Sequence, residues 1–158
     1  MDRLSTLQNS TIFNHLNTQE LESIASIASE QKFQKGSVIL AENMGSMALY
    51  IVMEGSVEII KKIGLEKDKN LTTLMPGECF GELSLFDDAP HSATVKSAED
   101  SCLIVIEKRK FNDLIEQDPA LGIKILKKLL KILSFRLRQS NEQMLNIMAW
   151  SLDSQQLK

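Results

Sequence analysis

The sequence predicts an α+β fold: an antiparallel β-barrel or jelly roll with N-terminal helices in front of it and a long C-terminal helix behind it. Three observations carry this. Between Val38 and Ile106, short runs rich in β-branched and aliphatic residues are separated by Gly, Asn, Asp or Pro. Ahead of them, Asn17-Thr-Gln-Glu20 has the form of a capping box that opens a helix. After Pro119 a helical pattern continues to about Leu152 with no proline and only Gly122 to interrupt it.

Composition narrows the class. At 158 residues and 43% hydrophobic content, the chain carries enough apolar material for one packed core and too little for two full domains. A formal net charge of −3 argues against a general nucleic-acid binder, which is usually basic. Cys79 and Cys102 lack metal-ligand spacing and read as free thiols in a reducing compartment. No apolar run reaches the roughly 18 residues of a membrane span, and the first residues lack the apolar stretch of a signal peptide. The expectation is a soluble, cytoplasmic protein without a membrane span.

In chain order, Ile12, Phe13 and Leu16 form one helical turn, and the following helix places Leu21, Ile24, Ile27 and Ala28 on one face. Strands follow at Val38–Leu40, Leu49–Met53, Val57–Ile60, Leu71–Leu74, Ala93–Val95 and Cys102–Ile106, with Gly36, Gly55 and Gly77 at turns between runs. In Glu42-Asn-Met-Gly45, Asn43 supplies left-handed tolerance for a turn. Arg109–Glu116 reads as a short helix with Phe111, Leu114 and Ile115 inward. Asp118 then acts as N-cap and Pro119 as first residue of the long helix. The expected division is 1–118, barrel with N-terminal helices, and 119–158, long helix and polar tail.

That last helix extends for about 50 Å at 1.5 Å per residue, too long for one small barrel to cover. Ile123, Leu126, Leu130, Leu133, Leu137, Ser140, Met144 and Ile147 alternate three- and four-residue spacings, the seam of a coiled coil. Ile125, Leu129, Ile132 and Phe135 form a second stripe, toward the barrel. The seam predicts a parallel homodimer, which makes this a dimerisation helix; the alternative is packing within one subunit. Lys124, Lys127, Lys128, Lys131, Arg136 and Arg138 read as a solvated face, or as a basic face toward an acidic surface or partner.

The stretch that carries chemistry is Cys79–Val95, where a strand breaks into one helical turn before another strand begins. Gly77 and Gly81 allow a sharp turn and close approach of a ligand. The N–H groups of Leu83 and Ser84, at the start of the turn, are expected to point outward unpaired, a seat for an anion. Glu82 beside such a seat suits a ligand that also offers hydroxyl donors, as a ribose does, so the pair suggests a nucleotide. The alternative is that Glu82 simply caps the turn.

The run Phe80-Gly-Glu-Leu-Ser-Leu85, a spacer, then Pro90-His-Ser-Ala-Thr-Val95 resembles the phosphate-binding cassette of the cyclic nucleotide-binding domain family. Phe33-Gln-Lys-Gly36, Leu49-Tyr-Ile-Val-Met-Glu-Gly55 and Met75-Pro-Gly77 extend the resemblance over residues 12–116. It implies a regulatory module that binds cyclic AMP or cyclic GMP without any other cofactor. By the same resemblance, Glu82 accepts from the ribose 2′-hydroxyl, and Gly81, Leu83 and Ser84 donate around sugar and phosphate. Ser92 and Ala93 contact the phosphate from the other side, and Val57, Ile59 and Leu71 form an apolar wall for the base. Ser140 and Asn141 reach the purine from the long helix, one of them across the dimer, as in catabolite activator protein-type regulators. His91 stands where the family carries its phosphate-binding arginine.

Catalysis has no support, because His15 and His91 lie far apart and neither belongs to a nucleophilic or metal-ligand spacing. The paired acids Asp87-Asp88 read as a solvated loop. The helix-turn-helix of the regulators that the chain resembles has no counterpart before Lys158, so no DNA reader is expected here; if the sequence is complete, output passes to a protein partner or through the dimer, and if it is a fragment, the output domain has been removed. The reading is therefore non-enzymatic: a cyclic-nucleotide sensor that relays occupancy through the C-terminal helix, or a dimerisation and protein-interaction module that has lost its ligand.

Overall fold

Short β-branched runs that each bury one face have to pair, and they do. A computed structural model describes the backbone of residues 2–45, 47–63, 67–87 and 89–156, and their side chains except at 62, 63, 67, 68 and 150–156. Asp88 lies outside the described residues. Among the described residues the strands are β1 Ser29–Phe33, β2 Val38–Leu40, β3 Ala48–Glu54, β4 Val57–Ile63, β5 Lys67–Leu74, β6 Cys79–Phe80, β7 Thr94–Ser97 and β8 Ser101–Glu107. They form two antiparallel sheets, ordered β1-β8-β3-β6 and β2-β7-β4-β5. Leu40, Val57, Leu74 and Val95 from one sheet meet Val52, Phe80 and Leu103 from the other in a buried cluster, so the sheets close face to face as a jelly roll.

The helices precede and follow the strands: α1 Arg3–Asn9, α2 Thr18–Ile27, α3 Lys108–Gln117 and α4 Pro119–Gln156. Helix α1 was not expected; Asp2 caps it by accepting the Ser5 N–H at 2.7 Å, and it buries Leu7. Residues 11–15 form a turn in which Ile12 and Phe13 are fully buried, and His15 is exposed there. The capping box of α2 is present in full, with Asn17 and Glu20 exchanging backbone-to-side-chain bonds of 2.9 Å. Asp118 accepts the Leu121 N–H at 3.0 Å, as the N-cap reading of α4 requires. Cys79 and Cys102 are free and buried.

The chain separates into two units, 1–122 and 123–158. In the second, Ile123, Leu126, Leu130, Leu137, Met144 and Ile147 are exposed in the single chain, Leu130 and Leu137 to more than 60%, and Leu133 is half-buried. No helix among the described residues is long and apolar enough to cross a membrane.

Candidate ligand site

Residues 79–95 are tied first to one sheet and then to the other. At the first end, β6 pairs with β3, Tyr50 opposite Phe80 and Ile51 opposite Cys79. The Tyr50 and Phe80 rings stack with centroids 5.0 Å apart and planes 5° from parallel. Gly81 follows at φ +75°, and a Cβ there would sit 2.7 Å from the Ala48 carbonyl oxygen of β3. Only glycine combines that left-handed backbone with that approach.

The predicted helical turn is a 3-10 turn, Leu83–Leu85. Glu82 precedes it with its side chain buried, 5% exposed, and makes no capping hydrogen bond to it. The capping alternative for Glu82 therefore falls. The unpaired donors expected at the turn require a correction: the Ser84 N–H donates to the Gly81 carbonyl at 3.1 Å, and Ser84 is buried. The cause is the tighter i to i+3 bonding of the 3-10 turn, which uses an amide that an α-helical start leaves free. Leu83 and Phe86 project outward, and Phe86 meets the buried Phe111 of α3 edge-on at 5.9 Å.

The far end is held by the second sheet. The Asn43 N–H donates to the His91 carbonyl at 2.9 Å, and the His91 N–H donates to the Met44 carbonyl at 3.1 Å. Asn43 has φ +64°, as the turn reading anticipated. One step on, the Glu42 N–H donates to the Thr94 hydroxyl at 3.1 Å. Lys61 Nζ donates to the Ser92 carbonyl and pairs with Glu42 Oε1 at 3.0 Å. Ser92 is exposed, while Ala93 and His91 are half-buried. His91 Nε2 is buried and finds no hydrogen-bond partner among the described residues. Burial holds the imidazole pKa below its ordinary value, so it is uncharged near neutral pH.

The apolar wall differs in detail from expectation. Val57 is fully buried in the core cluster and presents no surface, because its side chain is directed between the sheets. Ile59 packs at the edge of that cluster, and Leu71 is half exposed at 53%. Pairing of β4 with β5 steps from Ile59–Thr72 to Ile60–Asn70, so Leu71 is the extra residue of a bulge, a device that re-aims a side chain. Ser140 and Asn141 are exposed on α4, in the second unit. Sequence reasoning missed Glu42 and Lys61; the signal available was a lysine continuing the inward alternation Val57, Ile59, Lys61. A separate cleft of about 480 Å³, lined by Met47, Glu107, Lys108, Arg109, Asn112, Asp113 and Glu116, includes none of residues 79–95.

The Cyclic nucleotide-binding domain profile matches residues 30–118, more than half of the chain. The chain belongs to the cyclic nucleotide-binding domain family. It is 27% identical over 135 residues to the Cyclic AMP receptor protein of Thermus thermophilus, which covers 85% of this chain and 61% of that protein. The crystal structure of Thermus thermophilus Catabolite Activator Protein superposes with a TM-score of 0.77 at 27% identity, over 85% of this chain and 62% of that one. The regulatory domain of Toxoplasma gondii PKA, solved with cAMP, aligns with a TM-score of 0.65 and 28% identity, over 71% of this chain and 42% of that one. The chain thus spans less than two thirds of the length of these relatives. Its jelly roll and long C-terminal helix are those of this cyclic nucleotide-binding family.

Proposed function

We propose that the chain is a non-enzymatic regulatory module that binds cyclic AMP or cyclic GMP at residues 81–93 and relays occupancy through α4. The observation that carries this is Glu82, an acid buried at the start of a 3-10 turn that it does not cap. Gly81 lets the backbone come close beside it, and Ser92 is open to solvent. A carboxylate's two oxygens can each accept more than one hydrogen bond, so a ligand hydroxyl is a donor of the right chemistry for it. Glu82 accepts from the ribose; Gly81, Leu83 and the Ser84 hydroxyl surround the sugar. Ser92 and Ala93 take the phosphate, and Ile59 and Leu71 take the base with Val57 behind them. Ser140 and Asn141 are the proposed purine contacts of α4, and α4 is the proposed homodimer element. Titration calorimetry with both cyclic nucleotides tests the reading, with Glu82→Ala expected to weaken saturable binding.

A second reading rests on one specific observation. His91 occupies the family's arginine position, and burial keeps its imidazole uncharged near neutral pH. On that reading the fold serves dimerisation or a protein partner and has lost its ligand. Titration of His91→Arg separates the two: binding gained where wild type has none supports ligand loss, and strong wild-type binding removes it.

A further inference from the structure

Strand alternation sends Val57 and Ile59 of β4 inward, and the next member of that series is Lys61. An apolar residue would extend the wall there. Instead, one position beyond the last β4–β7 pair, Ile60 with Thr94, the lysine reaches the segment that leads into β7. Its ammonium donates to the Ser92 carbonyl and pairs with Glu42 Oε1 at 3.0 Å. The two side chains are 41% and 19% exposed, so the pair is only partly hydrated. An ammonium has three donors and no acceptor, and these contacts use two of them.

We propose that Lys61 supplies the phosphate-binding cation of this site, exchanging its ion pair with Glu42 for one with a ligand phosphate seated at Ser92 and Ala93. The assignment rests on the cyclic-nucleotide reading above and names the residue that replaces the missing arginine charge. Glu42 is then a placeholder anion: it holds the ammonium against the cassette when no ligand is bound and competes with phosphate for it. The compact, flexible lysine head suits that exchange, since a point charge on a long stem reorients without the fixed geometry a guanidinium demands.

The test is calorimetric titration of cyclic AMP and cyclic GMP into the full chain at low and near-physiological salt, for wild type, Lys61→Gln, Lys61→Arg and Glu42→Gln. Removing one charge-assisted contact weakens binding about ten- to hundredfold, so Lys61→Gln is expected to lose that much and to flatten the salt dependence. Lys61→Arg is expected to retain most of the affinity, and Glu42→Gln to bind more tightly than wild type. Wild-type affinity with an unchanged salt slope in Lys61→Gln overturns the proposal while leaving cyclic-nucleotide binding intact. Equal losses in Lys61→Gln and Lys61→Arg, or weaker binding by Glu42→Gln, reduce the lysine to a structural tie and overturn it too. Absence of binding by wild type overturns both readings together.

Discussion

Asn43 donates its backbone N–H to the His91 carbonyl at 2.9 Å, and it does so from a left-handed backbone at φ +64°. The turn after β2 and the end of the cassette are thereby one hydrogen-bonded unit. A side chain without Asn's local polar compensation pays roughly 1–2 kcal/mol in that conformation. Asn43→Ala is expected to lower stability by about 1 kcal/mol, and Asn43→Gly to leave it nearly unchanged, in urea denaturation followed by circular dichroism. Equal losses in both variants would place the contribution in the asparagine side chain instead.

Gly81 is the more severe constraint. Gly81→Ala combines a positive φ with a Cβ 2.7 Å from the Ala48 carbonyl, and neither chain segment is a flexible side-chain tip. A destabilisation on the order of 1–3 kcal/mol is expected, together with weaker ligand binding, because Glu82 is attached directly to the residue that has to move. Denaturation and titration of the same preparation check both, and a fully stable Gly81→Ala would contradict the close approach.

How much of this was legible in the sequence depends on whether a residue's role is local. The Asn17–Glu20 box, the Asp118-Pro119 helix start and the left-handed Asn43 were readable because each is decided within a few residues. Strand β1 was not. Its Ser29-Glu-Gln-Lys-Phe33 shows no apolar alternation, with Glu30, Gln31 and Lys32 all exposed, and only pairing with β8 makes it a strand. Helix α1 was hidden for the same reason, since Leu7 is its sole fully buried apolar residue. At the site, glycine spacing pointed to Glu82, but the bond from Ser84 to Gly81 depends on the 3-10 geometry. The meeting of Lys61 with Glu42 depends on how β2, β4 and β7 lie in one sheet.

His91 ties binding and stability to pH with opposite signs. Burial lowers its pKa in the folded chain, so its contribution to folding is fully present above the ordinary value of about 6.5 and is lost as pH falls through the folded value. His91→Gln is expected to remove that part of the acid destabilisation in thermal melts. A bound phosphate favours the protonated imidazole, so affinity is highest below the free pKa and falls as pH rises to the bound pKa. Dissociation constants across this range should slope for wild type and flatten for His91→Gln; a flat wild-type profile would assign His91 to the pocket wall.

The exposed seam of α4 carries its own test. Ile123, Leu126, Leu130, Leu137, Met144 and Ile147 leave an apolar stripe open to solvent in the single chain, and a parallel two-stranded coil is the arrangement that this spacing favours. Sedimentation equilibrium is expected to give twice the chain mass at tens of micromolar protein, and Leu130→Asp with Leu137→Asp is expected to give monomers. A wild-type monomer would contradict the coiled-coil reading.

Calorimetric titration of cyclic AMP and cyclic GMP into wild type and Glu82→Ala is the most direct test of ligand binding. The buried Glu82 beside the left-handed Gly81 predicts saturable wild-type binding of at least one of the two. Glu82→Ala is expected to weaken it by about tenfold or more, as loss of a hydrogen bond to a charged group implies, while retaining the wild-type fold by circular dichroism. No heat of binding from either nucleotide on both sides of the His91 titration, or equal affinity in wild type and Glu82→Ala, would contradict it.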